Sequence, residues 1–264
     1  MKKRMAFLLA VLTVCLCFGG CGKAETGSDS AYVRERGKLI VGITDFKPMD
    51  FQAEGSDEWI GFDADLAKAF AAELGVEAEF VVIGWDSKEF ELDSKSVDCI
   101  WNGMTLTDGV RAAMETSEPY CQNAQVVVVP REKADLYQTT DSVKQLSFAA
   151  ESGSAGEKAL LELGCSVTPV PAQTDAVKEV AAGTSDAAVI DLLMAGAMLG
   201  EGSSYSDLTY TVALTREEYG VGFRKGSDLA AALNGFFKKA YDDGTMLALA
   251  EKYAIPTENV LKQD

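Results

Sequence analysis

From residue 31 onward, short apolar runs of strand length alternate with amphipathic stretches of helical length, and this alternation constrains the fold more than any other feature. Leu39–Ile43 is a strand-like apolar run, and Phe62, Leu66 and Phe70 recur at about one helical turn. A second series of strands and helices starts near residue 147. The alternation predicts an α/β fold with mainly parallel strands. The two series predict two lobes, with a ligand at the carboxyl ends of the strands.

The start of the chain has the layout of an export signal. Lys2, Lys3 and Arg4 precede the apolar run Ala6–Phe18, which is too short to span a bilayer comfortably. Two glycines and Cys21 follow, which resembles a bacterial lipoprotein processing site with Cys21 as the acylated mature N-terminus. That pattern prefers an aliphatic residue where this chain has phenylalanine, and an ordinary cleaved signal peptide is the alternative. We expect residues 1–20 to be a lipoprotein signal peptide and residues 21–30 to be a flexible tether.

The composition excludes several functional classes. The chain has no histidine, which excludes Ser-His-Asp and Cys-His nucleophiles and imidazole metal ligands. Its net charge of −17 becomes −20 without the three basic residues of the signal, and such acidity argues against binding nucleic acid. Cys99, Cys121 and Cys165 match no zinc or redox spacing. We therefore expect no metal and no cofactor.

Polar and aromatic side chains follow several predicted strands, where an α/β sheet gathers its ligands. They are Asp45 and Phe46 after the first strand, Trp85 after the second, Asn102, Gly103, Met104 and Thr105 after the third, Ser152, Gly153 and Ser154 at a helix start, and Asp191. Each has a structural alternative, because the aromatic rings could belong to the core, and Ser154 and Asp191 could be helix N-caps. Together with Arg111 they provide a carboxylate, two rings and an anion-binding turn, which suits a small zwitterion with a side chain.

Several ordered segments carry a resemblance to a known family. They are GKLIVGITDFKPMDF (37–51), GFDADLAKAFAAELG (61–75), VDCIWNGMTLT (97–107), SEPY (117–120), AESGSAG (150–156), DAAVID (186–191) and EYGVGFRKGSDL (218–229). From about residue 37 to its end the chain resembles extracellular solute-binding proteins of polar amino-acid ABC importers. The resemblance implies a two-lobed, periplasmic-binding-protein-like (type II) α/β fold with a hinge of two crossing strands. Lobe 1 would comprise residues 31–122 and 219–264, and lobe 2 residues 123–218.

The resemblance also implies a role for each candidate residue. Backbone around Gly103 and Thr105 would contact the ligand's α-amino and α-carboxylate groups, and the turn Ser152–Ala155 would donate hydrogen bonds to the carboxylate. Asp191 would pair with the α-ammonium group. The residues expected around the ligand's side chain are the flanking aromatics Phe46 and Trp85 and the acidic Asp45.

Two positions depart from the family pattern. The family's carboxylate-binding arginine stands seven residues after the glycine equivalent to Gly103, but this chain has Val110 there and Arg111 one residue later. A one-residue shift on a helix turns a side chain by about 100°, although Gly109 could let the turn bulge and return Arg111 to the site. Otherwise Arg111 is a surface charge and backbone groups alone hold the carboxylate. Glu151, where the family often has glutamine or lysine, would favour a cationic ligand side chain or pair with Arg111 across the cleft.

The function implied by the resemblance is capture of an amino acid and its delivery to an ABC permease in the membrane. The protein would act outside the cytoplasm as a monomer, anchored to the bacterial membrane by the lipid on Cys21. A lipid-tethered sensor or adhesion protein is one alternative, and a dehydratase-like enzyme of the same fold is another. An enzyme is disfavoured because no pair of carboxylates at motif positions has an evident acid–base partner.

Overall fold

The computed structural model describes residues 28–200 and 202–263. The predicted signal peptide, the acylation site at Cys21 and residues 21–27 of the predicted tether lie outside the described residues. Within the described ranges, no helix is long and apolar enough to cross a membrane.

The described chain alternates strands and helices in nearly the predicted order. The strands are β1 (Lys38–Ile43), β2 (Phe51–Gln52), β3 (Trp59–Ile60), β4 (Glu77–Val82), β5 (Cys99–Thr105), β6 (Glu115–Thr116), β7 (Cys121–Asn123), β8 (Gln125–Pro130), β9 (Ser147–Glu151), β10 (Ser166–Val170), β11 (Ala187–Asp191), β12 (Leu208–Ala213) and β13 (Glu217–Phe223). The helices are α1 (Asp29–Arg36), α2 (Phe62–Leu74), α3 (Lys88–Asp93), α4 (Asp108–Ala113), α5 (Thr140–Val143), α6 (Ala155–Glu162), α7 (Gln173–Ala182), α8 (Leu192–Met198), α9 (Leu229–Asp242) and α10 (Thr245–Lys252).

Two larger sheets define two lobes. One sheet has the order β4-β1-β5-β13-β6 with β7 also paired to β13, and the other has the order β10-β9-β11-β8-β12. We call the residues around the first sheet lobe 1 and those around the second lobe 2. The chain passes from lobe 1 to lobe 2 between β7 and β8, and it returns between β12 and β13.

The sheets are mixed rather than mainly parallel. β1 runs parallel to β4 and β5, and β9 runs parallel to β10 and β11, as predicted for strands linked by helical crossovers. The prediction is wrong for β8, which is antiparallel to β11 and β12, and for β13, which is antiparallel to β5, β6 and β7. The chain enters each of these strands directly from the other lobe rather than through a helical crossover within the same lobe.

Each lobe has an apolar core that fixes its helices on the sheet. In lobe 1, Phe62, Leu66 and Phe70 of α2 are at most 1% exposed, and the helix ends at a left-handed Gly75 as the pattern predicts. The start of lobe 1 differs from the predicted end of the tether at residue 30. Ser30, placed in the tether by the sequence, lies in α1 and donates its N–H to Asp228 at 3.0 Å.

Candidate functional site

Two adjoining cavities lie between the lobes, with volumes of about 220 and 750 Å³. Both are lined by Thr105 at the end of β5 and by Ala155 and Lys158 in α6. The carboxyl end of a lobe 1 strand therefore faces the start of a lobe 2 helix, as predicted for an α/β ligand site. We call the two cavities together the cleft.

Several of the sequence candidates line this cleft. They are Trp85, Met104, Thr105, Gly153, Ser154 and Ala155. Trp85 is 8% exposed and also packs in an apolar cluster with Met104. The ring of Trp85 is consequently both a core aromatic and a wall of the smaller cavity.

The side chain of Asn102 is fully engaged inside lobe 1. Its Oδ1 accepts from the Thr44 N–H at 3.1 Å and hydroxyl at 2.8 Å, and its Nδ2 donates to the Thr44 carbonyl at 3.0 Å and to Asp50 at 2.8 Å. These bonds tie the end of β1 to β5. The geometry does not bring the Asn102 side chain to a ligand, because its donors and its acceptor are already used.

Gly103 lies behind the cleft wall in a left-handed conformation with φ of 55°. A Cβ there would approach the Phe46 ring to 2.5 Å and the Tyr219 ring to 3.1 Å, so the position requires glycine. The N–H of Gly103 donates to Asp63 at 2.7 Å, and Asp63 also accepts from the Tyr120 hydroxyl. Burial raises the pKa of Asp63 to about 7. Phe46 is 2% exposed and meets Tyr219 edge-on, so it supports Gly103 from the core.

The position that corresponds to the family's carboxylate-binding arginine holds an apolar residue that faces the cleft. Val110 lines the smaller cavity and is 7% exposed. The side chain of Arg111 is exposed and lies outside the set of cleft-lining residues, while its carbonyl accepts from Lys225 at 3.0 Å. α4 continues as an α-helix from Asp108 to Ala113, so no bulge returns Arg111 to the cleft. The geometry supports neither Arg111 as a carboxylate ligand nor its pairing with Glu151.

The start of α6 presents a capped helix N-terminus to the cleft. Ser154 is the N-cap, and its hydroxyl accepts from the Glu157 N–H at 3.0 Å. Ala155 is the first residue of α6 and lines both cavities. The first N–H groups of a helix have no carbonyl partner inside it and carry the positive end of its dipole. This end of α6 is therefore suited to an anionic group.

The turn before α6 is pressed against lobe 1. A Cβ on Gly153 would lie 2.7 Å from the Cα of Asp86, and the Ser152 hydroxyl donates to Asp86 at 3.3 Å. The carbonyl of Gly153 accepts from Lys88 at 3.1 Å. The two lobes are thus closed on each other at this turn, and glycine is the residue that permits the approach.

Asp191 lies at the end of β11 and is 3% exposed. It occupies the N-cap position of α8, but its side chain makes no capping bond. Its carboxylate accepts instead from four side chains, which are the hydroxyl of Tyr219 and the amides of Asn123, Gln125 and Gln173. Only the Gln173 bond reaches Oδ2, so this oxygen keeps capacity for a further donor. Burial, followed by the negative charge of Glu217, raises the pKa of Asp191 well above its usual range.

Glu151 is a buried acid that does not line either cavity of the cleft. It ends β9, is 2% exposed, and its Oε1 has no hydrogen-bond partner among the described residues. Burial raises its pKa to about 8, with the positive charge of Lys88 opposing the shift and the negative charge of Asp175 adding to it. Hydrogen bonds from Thr44 and Gln173 also oppose the shift, and a cation placed beside the group would favour its ionised form.

Asp45 is exposed and interacts electrostatically with α7 of lobe 2. Desolvation raises its pKa, while Lys178 opposes the shift and Asp175 adds to it. Asp45 and Glu151 therefore both lie within electrostatic range of Asp175.

Sequence reasoning missed three polar residues of this region. Gln173 and Glu217 contact the Asp191 network from α7 and β13, and no local motif distinguishes them. Lys88 lines the smaller cavity with only 8% exposure. A signal for Lys88 was available, since it follows Trp85 by three residues, about one helical turn.

Known proteins are similar to this chain in both sequence and architecture. The model of "bacterial extracellular solute-binding proteins, family 3" matches residues 39–256. The L-cystine-binding protein TcyJ of Escherichia coli (strain K12) is 30% identical over 252 residues, which cover 93% of this chain and 94% of the relative. The arginine-binding extracellular protein ArtP of Bacillus subtilis (strain 168) is 31% identical, with coverage of 96% and 98%. The crystal structure of a mutant of ArgBP from T. maritima superposes with a TM-score of 0.80 at 31% identity, covering 86% of this chain and 100% of that one.

Proposed function

Because the chain belongs to the bacterial extracellular solute-binding proteins, family 3, we propose that its cleft captures an amino acid with a cationic side chain, with arginine as the preferred ligand. The ligand would bridge the two lobes and stabilise their closed arrangement, which an ABC permease in the membrane then recognises. The activity is binding and delivery, as in the relatives named for binding cystine or arginine.

The buried carboxyl group of Glu151 is the observation that carries the choice of ligand. Its Oε1 has no hydrogen-bond partner among the residues that the structure describes, and its pKa is raised to about 8 because burial disfavours the charged form. A guanidinium or ammonium group placed against it would restore the charged form and supply the missing donors. A neutral or acidic ligand side chain would leave the acid protonated and would add no charge-assisted contact.

The surrounding charges support the same choice. Asp175 lies close enough to both Asp45 and Glu151 to raise the pKa of each, so the surroundings of Glu151 are acidic. The free capacity of Asp191 Oδ2 suits the α-ammonium group of the ligand, and the start of α6 suits its α-carboxylate. The three groups of a basic amino acid would thus each meet a complementary site.

We also propose that Cys21 carries the lipid that holds the protein at the outer side of the bacterial membrane, and that the protein acts as a monomer. The basic start, the apolar run and the two glycines before Cys21 support the lipid. Mass spectrometry of the N-terminal peptide from the producing cell tests for the lipid on Cys21. The variant Cys21→Ser should lose both acylation and membrane retention.

Calorimetric titration of the purified protein with arginine, lysine, histidine, cystine, glutamine and glutamate tests the proposed ligand class. We expect arginine and lysine to bind best and to raise the thermal midpoint most, since a ligand of the folded form stabilises it. A preference for glutamate would contradict the proposal. Recovery of chemically unchanged ligand after long incubation would separate a binding protein from an enzyme of the same fold.

A further inference from the structure

Lys88 is a buried cation at the boundary between the lobes. It begins α3 of lobe 1, yet it is only 8% exposed. Its Nζ donates to the carbonyl of Trp85 at 3.0 Å and to the carbonyl of Gly153 in lobe 2 at 3.1 Å. The same Nζ lies 5.0 Å from the centroid of the Trp85 ring. The ammonium group is therefore held in one place by contacts from both lobes.

No acidic side chain among the described residues is in direct contact with this ammonium group. Lys88 takes part in no ion pair within residues 28–200 and 202–263, although Glu89, Glu151 and Asp86 act on it through longer-range attraction. Burial lowers the pKa of Lys88. A buried charge is costly without a counterion, and two carbonyl groups use only two of the three N–H donors of an ammonium. One donor and one charge remain for a group from outside.

The cavity beside Lys88 has the other features of an anion site. Ala155, the first residue of α6, and its N-cap Ser154 line the same cavity of about 220 Å³. The positive end of the α6 dipole and the Lys88 ammonium group therefore converge on one space. Val110 lines this space without contributing a charge, and Lys158, the other cation that lines it, is exposed.

We propose that Lys88 binds the α-carboxylate of the captured amino acid, together with the first N–H groups of α6. This inference rests on the proposed function and names the group that recognises one end of its ligand. Because Lys88 also holds the Gly153 carbonyl, carboxylate binding and lobe closure use the same side chain. A ligand without the negative charge loses both the ion pair and part of the closure it drives.

A purely structural Lys88 that only joins the lobes is the competing explanation, and the ligand's charge distinguishes the two. Binding of L-arginine and of L-argininamide is measured by calorimetry for the wild type, Lys88→Gln and Lys88→Met, at about pH 6.5, where the α-amine of the amide is protonated. The glutamine variant keeps a donor for the Gly153 carbonyl but has no charge. Lys133→Met is the matched control, since it removes an exposed cation that lies outside the lining of the cleft.

We expect both Lys88 variants to bind L-arginine about 10- to 100-fold more weakly, the range of one charge-assisted hydrogen bond. The affinity of Lys88→Gln for L-argininamide should change by less than about threefold, as should the affinity of Lys133→Met for either ligand. Lys88→Met also loses the contact to Gly153, so it should bind L-argininamide more weakly too, but with a smaller loss than for L-arginine. The thermal midpoint of ligand-free protein should stay equal or rise, because a desolvated charge has been removed. Equal losses for both ligands would overturn the inference and make Lys88 a structural contact. Failure of the wild type to bind L-arginine, while it binds another amino acid, would refute the proposed ligand; that amino acid and its amide then test Lys88 in the same way. A wild type that binds no amino acid overturns both proposals.

Discussion

Replacing Glu151 by glutamine separates the charge of this buried acid from its size. The carboxyl group has a pKa of about 8, so at pH 7 roughly nine-tenths of it is protonated in the empty cleft. A guanidinium group can pair with it only after that proton leaves. Arginine binding should therefore release close to one proton at pH 7, and the affinity should rise about 50-fold between pH 6 and pH 8.

Glu151→Gln should lose the proton release that Glu151 provides and bind arginine about 10- to 100-fold more weakly at pH 8, because one charge-assisted contact is gone. Calorimetry in two buffers of different ionisation enthalpy counts the released protons directly. Glu89→Gln is the matched control, since it removes the charge of an exposed acid that lines the smaller cavity. Wild-type affinity in Glu151→Gln, or no proton release by the wild type, would refute the reasoning.

The stability of the ligand-free protein tests the pKa of Glu151 independently of ligand binding. Folding raises the pKa of Glu151 from 4.5 to about 8, so the folded state holds the proton more tightly and stability falls as pH rises through that window. The loss amounts to up to about 5 kcal/mol at pH 8. Glu151→Gln cannot ionise, so its unfolding free energy should exceed that of the wild type at pH 8 and approach it near pH 4.5. Urea titrations at both pH values measure this difference, and a constant difference would contradict the assigned pKa.

Three further substitutions test other contacts. Gly153→Ala places a Cβ 2.7 Å from the Asp86 Cα only when the lobes are closed, so we expect at least about tenfold weaker ligand binding and a larger radius of gyration in solution scattering with ligand present; unchanged affinity would show that the turn does not control closure. Arg111→Met should leave affinity within about twofold of the wild type, because the side chain is exposed and lies outside the cleft; a tenfold loss in a titration would place Arg111 at the ligand after all. Asp63→Ala should lower the unfolding free energy by about 2–4 kcal/mol, since two buried donors, one of them the Gly103 N–H, lose their acceptor. An unchanged midpoint in thermal denaturation would contradict that role of Asp63.

Much of the fold could be predicted because its signals are local. The helix that begins at Phe62 and ends before Gly75 follows from a 3.6-residue apolar period and a glycine stop, and both are found. The antiparallel direction of β8 and β13 could not be predicted in the same way. It depends on each strand entering its sheet from the other lobe, which is a relation between distant segments.

The candidate site was predicted unevenly for a comparable reason. Residues whose backbone lies at a strand end or helix start, such as Thr105 and Ala155, do line the cleft. The direction in which a side chain points could not be predicted from its position in the sequence. Asn102 turns into lobe 1, and Arg111 points to solvent one residue after Val110, which faces the cavity.

The sequence by itself determined the order of the elements and the family, because periodicity, turns and ordered motifs are properties of neighbouring residues. Only the tertiary structure decided which charges meet in the cleft. Lys88 and Glu151 are 63 residues apart in the chain, and each looks ordinary in its own segment. Folding buries both between the lobes, where the loss of water gives a single charge an influence on ligand choice that it lacks at the surface.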